Sequence, residues 1–187
     1  KNMRDGSKRG TLLDVLDFTS TSMGARKLRN WIECPLLDLS QIRSRQEAVG
    51  ELLTNVQMRG NLQDKLKAIF DLERIVSRIE VGSANARDLV SLRSSLAVLP
   101  EIKSLLRYCN SKLLQQLCED VHLHQELFTT LLAAIVDAPP FSVREGGMIR
   151  SGCDLELDEL HSNASDNKTW MQNLELKIKE ETGIKTL

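Results

Sequence analysis

Apolar residues recur along this chain at spacings of three and four, the period that keeps one face of an α-helix covered. Leu12, Leu13, Val15 and Leu16 open the series as a short helix, with Thr11 or Gly10 as its cap. Residues 19–22 form a hydroxyl-rich break. Beyond it, Leu28, Trp31 and Ile32 share a face of a helix from about 23 to 34, which Pro35 ends by pushing Cys34 toward extended backbone. Asp38 and Gln41 have the spacing of a capping box, Asp38 accepting from the backbone and Gln41 reaching back. The helix behind them carries Ile42, Val49, Leu52 and Leu53 on one stripe. Asn55 and Gly60 are breakers, so residues 56–70 make one helix or two. Residues 71–81 form the next, closed by Gly82 as a left-handed cap. Asn85 then caps a helix with Leu89, Leu92, Leu96 and Leu99 in heptad-like order, and Pro100 is expected to separate it from 101–109. Residues 113–121 and 124–136 continue the pattern.

The character changes after Pro139 and Pro140. Residues 141–152 alternate in polarity, with Gly146 and Gly147 at a turn; this is the one β-like stretch, too short to build a sheet. Residues 154–182 predict the longest helix, about 45 Å. Asp154, Glu156, Asp158 and Glu159 suit its positive end. Leu157, Leu160, Ala164, Asn167, Met171, Leu174 and Ile178 form a coiled-coil seam that calls for another helix against it, and Gly183 stops the run. The expected fold is all-α: a multi-helix core domain over 1–140, then 141–187 as a short extended crossing and a long outgoing helix.

Composition agrees. Apolar residues make up 41% and charged residues 27%, which excludes a disordered chain, and aromatics at 4% with abundant Leu favour helix-on-helix packing. Lys+Arg 25 against Asp+Glu 26 leaves no overall basic character for gripping phosphates. The early lean of Lys1, Arg4, Lys8, Arg9, Arg26, Lys27 and Arg29 reads as a solvated tail and an exposed helix face. Cys34, Cys109, Cys118 and Cys153 lack CxxC spacing and read as thiols of a reducing compartment. No apolar run approaches the ~20 residues of a membrane span. No signal-like segment appears, and the sequence begins at Lys1. A cytoplasmic fragment of something longer is the expectation.

Candidate chemistry is sparse. Cys118 and His122 could share a helix face, but His124 points elsewhere and Cys109 lacks a zinc-like spacing. Asp158 and Glu159 lie on a solvated turn, and no Ser-His-Asp set suggests itself. Asp71, Arg74 and Arg78 lie on one helix flank. They read either as local ion pairs or as bridges to a neighbouring domain.

Several ordered blocks carry a resemblance. The first holds Thr11, Leu12, Leu13, Asp14, Val15, Leu16, Asp17, Phe18 and Thr19, then Met23, Gly24, Arg26, Leu28, Trp31, Pro35 and Leu36. Next come Ile42, Arg45, Gln46, Val49 and Leu52, then Asp71, Leu72, Glu73, Arg74, Ile75, Arg78, Ile79, Arg87, Asp88, Leu89 and Leu92. Glu145, Gly146, Gly147, Met148, Ile149, Arg150, Gly152, Asp154 and the run 156–160 follow, and Glu181, Thr182, Gly183 and Ile184 close the series. In order and spacing these blocks resemble the MutS family of DNA mismatch-repair ATPases, in its bacterial form.

That resemblance implies a core or lever domain up to about Pro140 and an outgoing arm toward a DNA clamp. The family's mismatch reader uses a Phe-x-Glu element, and its ATPase a Gly-x-x-x-x-Gly-Lys-Ser/Thr loop; neither occurs here. The expectation is therefore no catalytic, cofactor or metal residue in this chain, with ATP and Mg held by the parent protein. The chain would be a mechanical connector, transmitting ATP binding to a clamp that encircles mismatched DNA in a bacterial, nucleoid-associated and homodimeric parent. Its partners would be DNA through that parent and other domains of the same chain, with no membrane. Structural candidates are Gly24, Arg26, Trp31, Pro35, Arg45, Asp71, Arg74, Arg78, Asp88, Gly146, Gly147, Arg150, Gly152 and Asp154; Gly24, Pro35 and Gly146-Gly147 are the places where elements would pivot or pack closely. The alternative is a helical interaction module that dimerises through its long C-terminal helix.

Overall fold

The computed structural model describes residues 6–7 and 9–182, the side chains of 176 and 180–182 excepted. The polar start at Lys1, Arg4 and Lys8, the stop at Gly183 and the closing Ile184 and Lys185 lie outside the described residues.

Nine α-helices and one 3₁₀ turn make up the described secondary structure, with no strand among the described residues: α1 (Leu12–Leu16), α2 (Ser22–Glu33), α3 (Leu39–Thr54), α4 (Val56–Lys67), α5 (Leu72–Glu80), α6 (Ala86–Leu106), α7 (Lys112–Asp120), α8 (Gln125–Ala134), the 3₁₀ turn (Val143–Glu145) and α9 (Leu155–Thr182). Contacts divide the chain into two compact units, 1–148 and 149–187.

Short polar side chains start the helices. Thr11 accepts from the Asp14 N–H, Thr21 from Gly24, Asn55 from Met58 and Asp71 from Arg74. Asn85 and Asp88 complete a reciprocal capping box at α6. Asp38 differs from expectation. Its carboxylate accepts from the Ser40 N–H at 2.8 Å, and Gln41 donates its side-chain amide to that carboxylate instead of accepting from the Asp38 backbone. A short Asx turn has displaced the box. Asn55 ends α3 and begins α4, so the predicted break is a single residue. Gly82, at φ +73°, closes α5, with Ser83 N–H donating to the Arg78 carbonyl and Gly82 N–H to that of Ile79.

Pro100 does not separate two helices; it lies inside α6. A helix-interior proline costs about 3 kcal/mol through its missing donor and its ring. Ile102 and Leu106 are buried beyond it, and burial of such side chains is worth about 1.5–3 kcal/mol each, enough to carry the helix through.

In the first unit α6 is common to two apolar clusters. One joins Ala48, Met58, Ile102, Leu106 and Leu114 from α3, α4, α6 and α7 with Cys109 of the α6–α7 connection. The other joins Ile75, Leu92, Leu96 and Leu131 from α5, α6 and α8. Residues 141–148 fold back with the 3₁₀ turn, and Val136 N–H donates to the Met148 carbonyl at 3.1 Å.

The second unit is dominated by α9. Asp154 caps it, accepting from the Glu156 and Leu157 N–H groups at 3.0 and 3.1 Å. Most of its described side chains are exposed, including Leu160, Met171 and Leu174 of the expected seam.

Candidate coupling and interaction sites

Arg26 of α2 grips Asp71 with a guanidinium fork, Nη1 to Oδ2 at 2.8 Å and Nη2 to Oδ1 at 2.7 Å, while its Nε reaches Glu73 Oε2 at 2.9 Å. Asp71 is at the same time the cap of α5. The Arg26 hydrogen bonds hold the Asp71 carboxyl down at a pKa of about 2, and the two carboxylates push the Arg26 guanidinium up. Arg74 adds a longer contact, Nε to Asp71 Oδ2 at 3.4 Å.

Arg78 repeats the device one helix on. Its Nε and Nη2 meet Asp88 Oδ2 and Oδ1 at 3.0 and 2.6 Å, and Asp88 belongs to the capping box of α6. The hydrogen bond from Arg78 lowers the Asp88 pKa. In each case a guanidinium from one helix clamps the N-terminal carboxylate of another, so α2, α5 and α6 are tied in series. Bidentate pairs fix orientation as well as distance.

The series continues beyond the structural candidates, through Arg93, Ser95 and Glu51 and through Arg87, which the resemblance includes. Arg93, only 7% exposed, donates to the Ile135 carbonyl and to Asp137 Oδ1, both at 2.8 Å. Arg87 donates to the Pro139 carbonyl at 3.2 Å and faces the Phe141 ring. Ser95, fully buried, receives the Phe70 N–H at 3.0 Å and donates to the Ser91 carbonyl. Glu51 accepts from the Asn110 and Ser111 N–H groups at 2.6 and 2.7 Å, which lowers its pKa. Ser111 itself makes no side-chain cap for α7, so Glu51 serves that helix from a distance. Arg93 could have been suspected, since it interrupts the apolar spacing of α6; Glu51 leaves no local signal.

At the corner of α2 and α3 the Arg45 guanidinium stacks 3.8 Å from the Trp31 ring centroid. Trp31, Pro35, Leu36, Ile42, Arg45 and Val49 line an open groove of about 580 Å³. Gly24 packs closely: a Cβ there would stand 3.0 Å from Thr21 Oγ1.

Gly146 and Gly147 both adopt φ +69°, and a Cβ on either would meet nothing within 4 Å, so backbone conformation and not crowding asks for glycine. In the second unit Gly152, at φ +86°, donates its N–H to Asp158 Oδ2 at 2.7 Å. Arg150 is half-buried. The candidates therefore fall into four places: the Arg26–Asp71–Arg74 cluster with Gly24 nearby in α2, the Arg78–Asp88 brace, the Trp31–Pro35–Arg45 corner, and the glycine-rich run leading to Asp154.

Asp38, Glu51, Asp64, Asp71 and Asp88, whose pKa values fall, are each engaged by N–H, hydroxyl, ammonium or guanidinium donors. Cys118 Sγ turns to the Lys103 carbonyl, and among the described residues no group of three His, Cys, Asp or Glu could hold a metal. No described helix is long and apolar enough to cross a membrane.

The fold is an all-helical domain in which arginine–carboxylate forks tie α2, α5 and α6 in series. The family model for MutS domain III matches residues 1–184, and the chain belongs to that family. It is 46% identical over 187 residues to the DNA mismatch repair protein MutS of Desulforamulus reducens, 45% to that of Symbiobacterium thermophilum and 44% to that of an Exiguobacterium species, each alignment covering the whole chain. It spans about a fifth of the length of these curated relatives, 22%, 21% and 22% respectively.

Proposed function

We propose that this chain is the lever of a bacterial mismatch-repair ATPase, relaying the nucleotide state of its parent to a clamp on DNA. The observation that carries the reading is the serial bracing of α2, α5 and α6, within a chain that matches MutS domain III along its length. A relay needs stiff elements joined at defined points, with two discrete placements of the whole and no reactive side chain. ATP and magnesium belong elsewhere in the parent, since these residues hold no phosphate-binding loop. The parent acts in the cytoplasm on nucleoid DNA as a homodimer, and residues up to 140 form the lever proper, with 141–187 leading toward the clamp.

The test uses the full-length protein. Arg78→Ala should leave ATP hydrolysis without DNA nearly unchanged while weakening its response to mismatched DNA by about threefold or more. Ser95→Ala, which destabilises the same unit without cutting a fork, should leave that response intact. An Arg78→Ala protein with a normal DNA response would overturn the lever reading. The exposed apolar side chains of α9 favour a second reading, a module that dimerises through this helix. Light scattering separates the two: an association that persists when the parent's downstream residues are restored supports the module.

A further inference from the structure

Helix α3 is apolar on two faces. Ala48 and Leu52 enter the first core cluster. Leu39, Ile42, Val49 and Leu53, spaced three, seven and four apart, make a second stripe that the described structure leaves largely uncovered, with Val49 63% exposed. Single exposed apolar residues are ordinary. Here they follow one line and run into the groove floored by Trp31, Pro35 and Leu36.

Arg45 flanks that stripe. Its face is spent on Trp31. Among the described residues no carboxylate pairs with it, whereas Arg26, Arg78 and Arg93 each hold one. A guanidinium already stacked on an aromatic ring has lost much of its freedom, so its fork of N–H donors meets a carboxylate at little further cost. We infer that this corner is a docking groove for an apolar segment carrying a carboxylate, contributed by the same polypeptide outside these 187 residues. That source rests on the parent-protein reading above: the matched region is 22% of the Desulforamulus reducens relative, which leaves ample chain to fill the groove.

The test places a benzoylphenylalanine photo-crosslinker at Val49 of the full-length protein, with Tyr108, 80% exposed, as the control position. Irradiation should give an intramolecular crosslink from Val49 to one segment bearing apolar residues and an Asp or Glu; Tyr108 should not reach that segment. Arg45→Glu should lower the Val49 yield by about tenfold, and replacing the mapped carboxylate with Lys in that background should restore it. Crosslinks only between two copies, only to a foreign protein, or none at all would overturn the groove, as would a yield indifferent to Arg45→Glu. ATP hydrolysis by the same preparation keeps the two readings apart. An active ATPase without the Val49 crosslink sinks the groove alone; a protein unable to hydrolyse ATP sinks the parent reading.

Discussion

Arg26 and Arg78 each hold a carboxylate that already serves a helix terminus, so one acidic side chain satisfies backbone N–H and guanidinium together. The folded Asp71 pKa, about 2, lies below its ordinary 3.8. A depressed carboxyl stabilises the fold above the unfolded pKa and loses that contribution as pH falls through the folded one. The stability gap between wild type and Asp71→Asn should therefore stay constant above pH 4 and close between 3.8 and about 2, as read by urea unfolding across pH. Ser95→Ala strands the Phe70 N–H and should cost about 1–3 kcal/mol in the same assay. The sequence names Arg26, Asp71, Arg78 and Asp88 one at a time, but Arg26 and Asp71 are 45 positions apart and no periodicity links them. Pairing at that distance follows from packing, and only the folded chain displays it.

At the scale of the helix, starts and stops were largely legible because the forces that set them act within four residues. Thr11, Asn55, Asp71, Asn85 and Gly82 do at their helix ends what their chemistry suggests. Pro100 was misread because the burial of Ile102 and Leu106, a tertiary term, outweighs the local one. Pro100 is exposed, so Pro100→Ala should return a backbone donor to α6 and raise stability by about 1–3 kcal/mol, net of the entropy restored to the unfolded chain. Denaturant midpoints would show it. The start of α7, expected at 113 and found at Lys112, was legible, but its support was not: Ser111 gives no side-chain cap, and Glu51 accepts instead from the Asn110 and Ser111 N–H groups just before the helix. Glu51→Ala should cost about 0.5–2 kcal/mol, with faster amide exchange confined to the first turn of α7.

For the molecule as a whole, stability is unevenly spread. The first unit has two apolar clusters sharing α6, whereas α9 in the second is exposed on most of its described side chains. Amides in the middle of α9 should exchange faster than those of Leu92 and Leu96 by on the order of a hundredfold in the 187-residue chain. Equal protection would contradict the separation into units. Within the first unit α2 is a further exception, for it buries no residue and is held by Arg26 on Asp71 and Glu73 and by the Trp31–Arg45 stack. Ionic strength therefore acts on this unit selectively. Sodium chloride, with a screening length near 10 Å at about 0.1 M, slackens the exposed Arg26–Glu73 side of the mooring of α2 and leaves the oily interior around α6 untouched. Ammonium sulfate tightens that interior through exclusion from its surface while it screens the same moorings. A brine kind to the centre is thus unkind to this margin.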